Sequence, residues 1–366
     1  MKNKLFFVIN NLHSGGAERV LSILANEFSK QGLSVFVVCL NEAEPGYQIS
    51  SHVKMINLLE KREKENIFNR IKYALLIFLR LSNLLIKEKP TCVISFMTTA
   101  NLWTGLACSL IKTPFIVSER TTPDHTINSF NFFLKRISYI IYKKSKAIVI
   151  PAKGIEDCIR NHKSFKRLNN FKIIRNPLNV FKSPSVKPVN TKKFILGVGR
   201  LSYIKGFDQL IEAYSKIKAD DVDLLIVGGG SEYENLSNQI EKLGMQKRAK
   251  LIGPKDNLQD YYNQAELFVL PSRNEGYPNA LIEAMSFGCP CIAMDCEFGP
   301  SEIIENEANG ILIEANNTGK LTSAMDNLLA DESLRVKVAS NAQLITQINS
   351  IENILPKWKD LILHNA

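Results

Sequence analysis

Short apolar runs alternate with longer amphipathic stretches along almost the whole chain, and this alternation stops once and then restarts. Apolar runs at 4–10, 34–40, 53–58, 92–96, 115–118, 147–150 and 172–174 have the length of buried strands. The stretches between them, notably 17–31 and 68–87, carry helical periodicity. Strand–helix alternation of this kind calls for a mostly parallel sheet with helices on its faces, because each parallel return needs a crossover. Residues 180–193 then hold two prolines and four lysines without any period, which reads as a linker. The pattern resumes at 194–198, 224–227, 250–252, 267–270, 291–294 and 311–313, with helices such as 207–218 and 279–287, and ends in a helical tail containing Pro356 and Trp358.

The expected fold class is therefore α/β, with two Rossmann-like, doubly wound parallel-sheet domains facing across a cleft. Their expected bounds are 1–180 and 194–350, joined by a linker at 181–193 and followed by a tail at 351–366 that packs back toward the first domain. Open parallel sheets bind ligands beyond the carboxyl ends of their strands, so the cleft is the expected site. At 366 residues the chain has room for two cores.

No stretch approaches the roughly 18 uncharged apolar residues of a spanning helix, and 1–12 reads as a strand entering a glycine loop rather than a signal peptide. A cytoplasmic location is expected. The seven cysteines are odd in number and lie mostly in apolar runs; Cys289, Cys291 and Cys296 read as buried thiols of a strand rather than as metal ligands. Charge is divided unevenly. Residues 1–180 carry 27 Lys and Arg against 12 Asp and Glu, a net +15, and residues 181–366 carry 19 against 24, a net −5. The first half is thus expected to meet something anionic: a diphosphate, a membrane face or nucleic acid, although no nucleic-acid motif accompanies the charge.

Three motifs carry chemistry. Ser14-Gly15-Gly16-Ala17-Glu18 follows the first strand and opens a helix, so it is either an ordinary tight turn or a place where backbone amides approach an anion. Gly197-Val198-Gly199-Arg200 leads to Lys205-Gly206, two cations five residues apart on a loop after a strand. They are either exposed loop charges or a pair that neutralises a departing diphosphate. A dinucleotide reading of Gly197 and Gly199 fails because Ser202 replaces the third glycine and no acidic residue ends the next strand. Glu275-Gly276-Tyr277-Pro278-Asn279 then leads into a helix, capped near Asn279, that carries Glu283. Glu275 can meet sugar hydroxyls from the loop, the helix start can receive a phosphate, and Glu283 is either a solvated helix residue or a partner for a ribose diol.

On these residues the chain resembles the group 1 retaining glycosyltransferases, classed as family 4, over nearly its full length. It is similar especially to bacterial enzymes of polysaccharide assembly that add a sugar, often N-acetylgalactosamine, to a polyprenyl-diphosphate-linked glycan. The resemblance implies a GT-B fold and a UDP-sugar donor without any metal or other cofactor. By the same resemblance Arg200 and Lys205 hold the donor diphosphate, Glu275 contacts the donor sugar, Glu283 takes the ribose, and Gly16 lies against the diphosphate beside Gly15. It assigns the base to Ile252-Gly253-Pro254 with Leu258 nearby, and adds Gly276, Tyr277, Pro278 and Asn279 to the donor contacts.

Many relatives place a histidine after the fifth strand, where this chain has Glu119-Arg120, with His125 five residues beyond. Arginine accepts no proton at neutral pH. Either His125 substitutes, or the donor phosphate oxygen takes the acceptor's proton while Arg120 contacts acceptor or phosphate; the second is favoured. Glu18, Glu119, Arg120 and His125 are accordingly the acceptor or transition-state candidates. Asp221-Val222-Asp223 resembles a metal motif but precedes its strand, the wrong end for one. The stretch 70–89 is a basic amphipathic helix whose Lys72, Arg80 and Lys87 share one face. Either it packs on the core or it meets anionic lipid or a lipid diphosphate. The expected partners are a nucleotide sugar, a polyprenyl-diphosphate-linked glycan and the cytoplasmic face of an anionic inner membrane, with no nucleic acid, and the chain is expected to act as a monomer. The competing functions are a nucleotide-sugar epimerase and a non-catalytic sugar-nucleotide-binding module.

Overall fold

In the computed structural model, residues 3–13, 15–42, 45–60 and 66–363 are described, and Ser14 lies outside them. The chain forms two compact units, 1–177 with 351–366, and 178–350.

The first unit holds strands β1 (Lys4–Ile9), β2 (Ser34–Cys39), β3 (Lys54–Asn57), β4 (Cys92–Phe96), β5 (Phe115–Ser118), β6 (Ile148–Ile150) and β7 (Phe171–Ile173). They form one parallel sheet in the order β3-β2-β1-β4-β5-β6-β7. Helices α1 (Gly16–Lys30), α2 (Ile67–Glu88), α3 (Thr98–Ile111), α4 (Phe132–Lys144) and α5 (Lys153–Asn161) make the crossovers. The central strands β1, β2, β4 and β5 are buried along nearly every residue. Helices cover both faces, which is why these strands read as continuous rather than alternating apolar runs.

The second unit repeats the scheme with β8 (Phe194–Val198), β9 (Asp223–Val227), β10 (Ala249–Leu251), β11 (Leu267–Leu270), β12 (Cys291–Asp295) and β13 (Ile311–Glu314). Their order is β10-β9-β8-β11-β12-β13, again all parallel. Its helices are α6 (Phe207–Tyr214), α7 (Tyr233–Lys242), α8 (Leu258–Gln264), α9 (Asn279–Ser286), α10 (Pro300–Ile303), α11 (Thr318–Ala330), α12 (Glu332–Ala342) and α13 (Ile345–Ile348). Residues 178–193 belong to this unit, where the Ser185 amide donates to Asp260 Oδ1 (2.7 Å) and the Val189 amide to Gln264 Oε1 (2.9 Å).

The last helix, α14 (Ile351–Leu363), returns to the first unit. Ile354, Leu355, Trp358 and Ile362 join the core built on β1, β2, β4 and α1. Trp358 is fully buried, and its ring stacks on Phe96 at 5.9 Å between centroids. Among the described residues no helix is long and apolar enough to cross a membrane.

Candidate active site

In each sheet the strand order reverses beside the first strand, between β1 and β4 in the first unit and between β8 and β11 in the second. Such a switch point opens a crevice at the carboxyl edge, because the two loops there run to opposite sides. In the second unit the loops that flank it are the ones bearing Arg200 with Lys205 and Glu275.

Gly206 brings these loops together. Its φ is +66°, and a Cβ there would lie 2.0 Å from the Pro271 carbonyl oxygen, so no other residue permits the approach. The Arg273 amide donates to the Ile204 carbonyl (2.8 Å), and its guanidinium forms a fork on Asp208 (2.7 and 2.6 Å) over the Tyr203 ring. With the loops pinned, Lys205 Nζ sits 2.5 Å from Glu275 Oε1. Ser272 Oγ donates to the same oxygen (2.7 Å). Glu275 is 7% exposed, whereas Arg200 on the neighbouring loop is open to solvent. A half-buried cation, an exposed cation and a sheltered carboxylate thus converge at the carboxyl edge, a set suited to holding a phosphate group beside hydroxyls.

A further loop completes this edge. Gly228-Gly229-Gly230 follows β9, and a Cβ on Gly228 would lie 1.8 Å from the Gly199 carbonyl oxygen. The Leu201 amide donates to the Gly229 carbonyl (2.9 Å), and the Gly228 amide to the Gly253 carbonyl (3.0 Å). The arginine loop is therefore backed by the glycine run, and the run by Ile252-Gly253-Pro254, where Ile252 and Gly253 are half-buried and Pro254 is exposed. Leu258, the first residue of α8, is half-buried. The sequence reading did not single out the glycine run, Ser272 or the Arg273–Asp208 pair. Three consecutive glycines directly after a strand were the available signal.

For the second carboxylate one of the two alternatives falls. Glu283 is 1% exposed and accepts a hydrogen bond from the Tyr262 hydroxyl (3.1 Å), so it is not a solvated helix residue. The N-cap of α9 is Pro278, with Asn279 the first helical residue as the sequence indicated, and the cap offers no side-chain hydrogen bond. Tyr277, one residue before, is buried, and its hydroxyl accepts from Asn349 Nδ2 (3.0 Å). Gly276 stands half-exposed or less beside it. Cys289, Cys291 and Cys296 are buried, and burial pushes their thiols up, to about 12 for Cys296. Asp223 opens β9 at the opposite edge and is engaged by Lys250 (3.2 Å) and Asn190 (3.0 Å).

In the first unit, Gly15 and Gly16 stand at the start of α1, immediately beyond β1 and thus at that sheet's switch point. A Cβ on Gly15 would lie 2.2 Å from Glu18 Oε2, so the missing side chain leaves room for the carboxylate to fold over the turn. Met97, directly after β4 on the other side of the switch point, holds φ +77°, a strained conformation for a side-chain-bearing residue.

Three acceptor candidates are corrected or placed here. Glu119 is buried and accepts from Thr98 Oγ1 (2.9 Å), Asn101 Nδ2 (2.9 Å) and the Tyr142 hydroxyl. Burial raises its pKa against the pull of those bonds. Arg120 also points inward: Nε donates to Ser118 Oγ (2.8 Å) and Nη1 to Asn176 Oδ1 (2.5 Å), and the guanidinium lies over the rings of Phe96 and Trp358. Both residues are therefore built into the unit's interior, Glu119 against α3 and α4 and Arg120 beneath Trp358 of the returning α14. His125 is exposed on a one-turn 3-10 helix at Pro123–His125. On α2, Lys72, Arg80 and Lys87 are exposed, and Arg80 Nη1 donates to the Leu58 carbonyl (2.6 Å). The apolar remainder of α2 is not all core: Leu75 and Leu79 are exposed, while Tyr73, Ile77, Leu81 and Leu85 are buried.

This chain is 29% identical over 373 residues to an uncharacterized glycosyltransferase of Haemophilus influenzae, covering 99% of this chain and 100% of that one. It is 27% identical to a Campylobacter jejuni alpha-1,4-N-acetyl-D-galactosaminyltransferase named for a diphospho-undecaprenol-linked glycan, covering 98% of each. Its fold matches Anabaena HepE, solved with UDP-glucose, at a TM-score of 0.81 and 18% identity over 98% of each chain, which establishes the GT-B fold. Residues 14–180 match the family model Glycosyltransferase Family 4, and residues 181–344 match Glycosyl transferases group 1. Between them the two models span the chain from its glycine turn to α13, and the chain belongs to the group 1, family 4 glycosyltransferases.

Proposed function

We propose that the protein transfers a sugar, N-acetylgalactosamine or another hexosamine or hexose, from a UDP-sugar to a polyprenyl-diphosphate-linked glycan, with retention of anomeric configuration and without a metal. The observation that carries this reading is the convergence of Lys205, Glu275 and Arg200 at the switch point of the second sheet. In the reaction the bond between the sugar's anomeric carbon and the UDP oxygen breaks, and charge grows on the departing phosphate. Arg200 and Lys205 neutralise that charge, the role a metal ion fills elsewhere. Glu275 exchanges its contact with Lys205 for hydroxyls of the donor sugar. The acceptor hydroxyl attacks from the face the phosphate leaves, and a phosphate oxygen takes its proton, so no protein base is required. The inward placement of Arg120 and Glu119 supports that route over one through either residue. The base lies on Ile252-Gly253-Pro254 and Leu258, and the ribose reaches Glu283 once the Tyr262 contact yields.

The names of relatives support the acceptor: the Campylobacter enzyme is named for an undecaprenol-linked substrate. The +15 balance of residues 1–180, with Lys72, Arg80 and Lys87 on one helix, supports work at the cytoplasmic face of an anionic membrane as part of surface-glycan assembly. The test is mass spectrometry of products from a panel of nucleotide sugars with a polyprenyl-diphosphate acceptor in the presence of EDTA. One donor should add its sugar mass at full rate. No transfer from any donor, or transfer only after magnesium or manganese is restored, contradicts the reading.

A further inference from the structure

Helices α2, α3 and α4 pack side by side in one layer of the first unit. Each follows a strand and crosses back to a parallel one, so the starts of α2 and α4 stand at the sheet's carboxyl edge, the edge of the Gly15–Gly16 turn. There the layer exposes bulky apolar side chains: Ile67 (72%), Phe68 (83%) and Ile71 (58%) on α2, and Phe132 (79%) and Phe133 (68%) on α4. Leu75 continues the α2 row at the same spacing of four residues, so the row is one helix face rather than scattered residues. The core of α2 is filled by a different row, Tyr73, Ile77, Leu81 and Leu85. The exposed row is therefore not needed to hold the helix, and a soluble monomer seldom leaves such a patch uncovered without a use.

The charges beside it identify the partner. Arg70 and Lys72 in the first turns of α2 and Arg136 in the first turns of α4 are exposed next to these side chains, and within the described spans of α2 and α4 the only acidic side chain is Glu88, at the far end of α2 and paired with Lys4. Apolar groups flanked by cations and without anions beside them match the boundary between acyl chains and anionic headgroups.

We propose that the starts of α2 and α4 insert Ile67, Phe68, Ile71, Phe132 and Phe133 into an anionic phospholipid monolayer, so that the protein is held by apolar burial as well as by charge. This deepens the lipid-linked acceptor reading by setting the carboxyl edge of the first sheet toward the bilayer surface, where a lipid diphosphate lies. The binding itself involves no substrate, so it stands or falls independently of the reaction.

The test uses the full chain with Phe68→Trp, vesicles of phosphatidylglycerol carrying bromine on the acyl chains, and wild type as the blank for Trp103 and Trp358. Emission of the introduced indole should shift to the blue and be quenched by the bromine, and part of the binding should persist at high salt. The pair Phe68→Asp and Phe133→Asp, at positions already exposed, should lower the vesicle-bound fraction more than about ten-fold while transfer to a short soluble acceptor is kept. Phosphatidylcholine vesicles should bind more weakly. The proposal is overturned if the protein does not float with anionic vesicles, or if it floats with the indole unquenched. It is equally overturned if Phe68→Asp abolishes self-association instead, which would make a second copy of this chain the cover.

Discussion

Lys205 Nζ and Glu275 Oε1 lie 2.5 Å apart although the residues are separated by 70 positions in the chain. The pair occupies two of the proposed donor-site residues with each other, and a donor would enter by exchanging that contact for a phosphate on one side and sugar hydroxyls on the other. Lys205→Ala should therefore leave a 7%-exposed carboxylate without its cation and destabilise the protein by about 1–3 kcal/mol. Adding Glu275→Gln should recover most of that stability while turnover stays lost. Urea denaturation and turnover of the single and double variants check this. Arg200→Ala and Lys205→Ala should each lower turnover by ~10²–10³, and less than additively when combined, since both act on one leaving group.

Gly206→Ala should damage the site through the backbone. At φ +66° with the Pro271 oxygen 2.0 Å from the new carbon, it combines local strain with a clash that separates the lysine and glutamate loops. Gly32, at φ +85° with nothing within 4 Å, supplies the control for strain alone. Gly32→Ala should cost about 1 kcal/mol and leave turnover unchanged, whereas Gly206→Ala should lose more stability and most activity. Equal behaviour of the two would contradict the loop-pinning account.

The strands were legible in the sequence because burial on both faces writes itself as an uninterrupted apolar run, as in Phe6–Ile9 of β1 and Leu224–Val227 of β9. The motifs were legible because they follow strands. What stayed hidden depends on partners distant in the chain. The tail was expected back at the first domain, but nothing near Arg120 announces that Trp358 is the residue that covers it, and nothing near Lys205 announces an ion pair with Glu275. Periodicity located α2 but could not say which of its apolar rows would find a core, so core packing and lipid contact stayed open until Tyr73, Ile77, Leu81 and Leu85 proved buried and Leu75 and Leu79 exposed.

Stability of the first unit should depend on pH through Glu119. Its folded pKa is raised by burial above the unfolded value, so the native state holds this proton more tightly. The sign follows: the contribution is constant below the ordinary carboxyl range near 4.5 and declines as pH rises above it toward the raised pKa. Glu119→Gln should be less stable overall but should lack that decline. Denaturant midpoints at several pH values for both proteins measure the difference in slope.

Trp358→Ala should cost about 3–5 kcal/mol, because a fully buried ring is lost from beside Phe96 and Arg120. If 351–363 belongs to the first unit, the loss should appear as weakened hydrogen-exchange protection of β1 and β4 more than of β8 and β11. Protection lost mainly in the second unit would contradict that assignment.

The most direct measurement of the central claim is the anomeric configuration of the product formed from an α-linked UDP-sugar and a polyprenyl-diphosphate-linked glycan, read by NMR alongside UDP release. The account predicts an α linkage, UDP release only when the acceptor is present, and loss of both with Glu275→Ala in a protein that remains folded. A β-linked product, or wild-type turnover by Glu275→Ala, would contradict it.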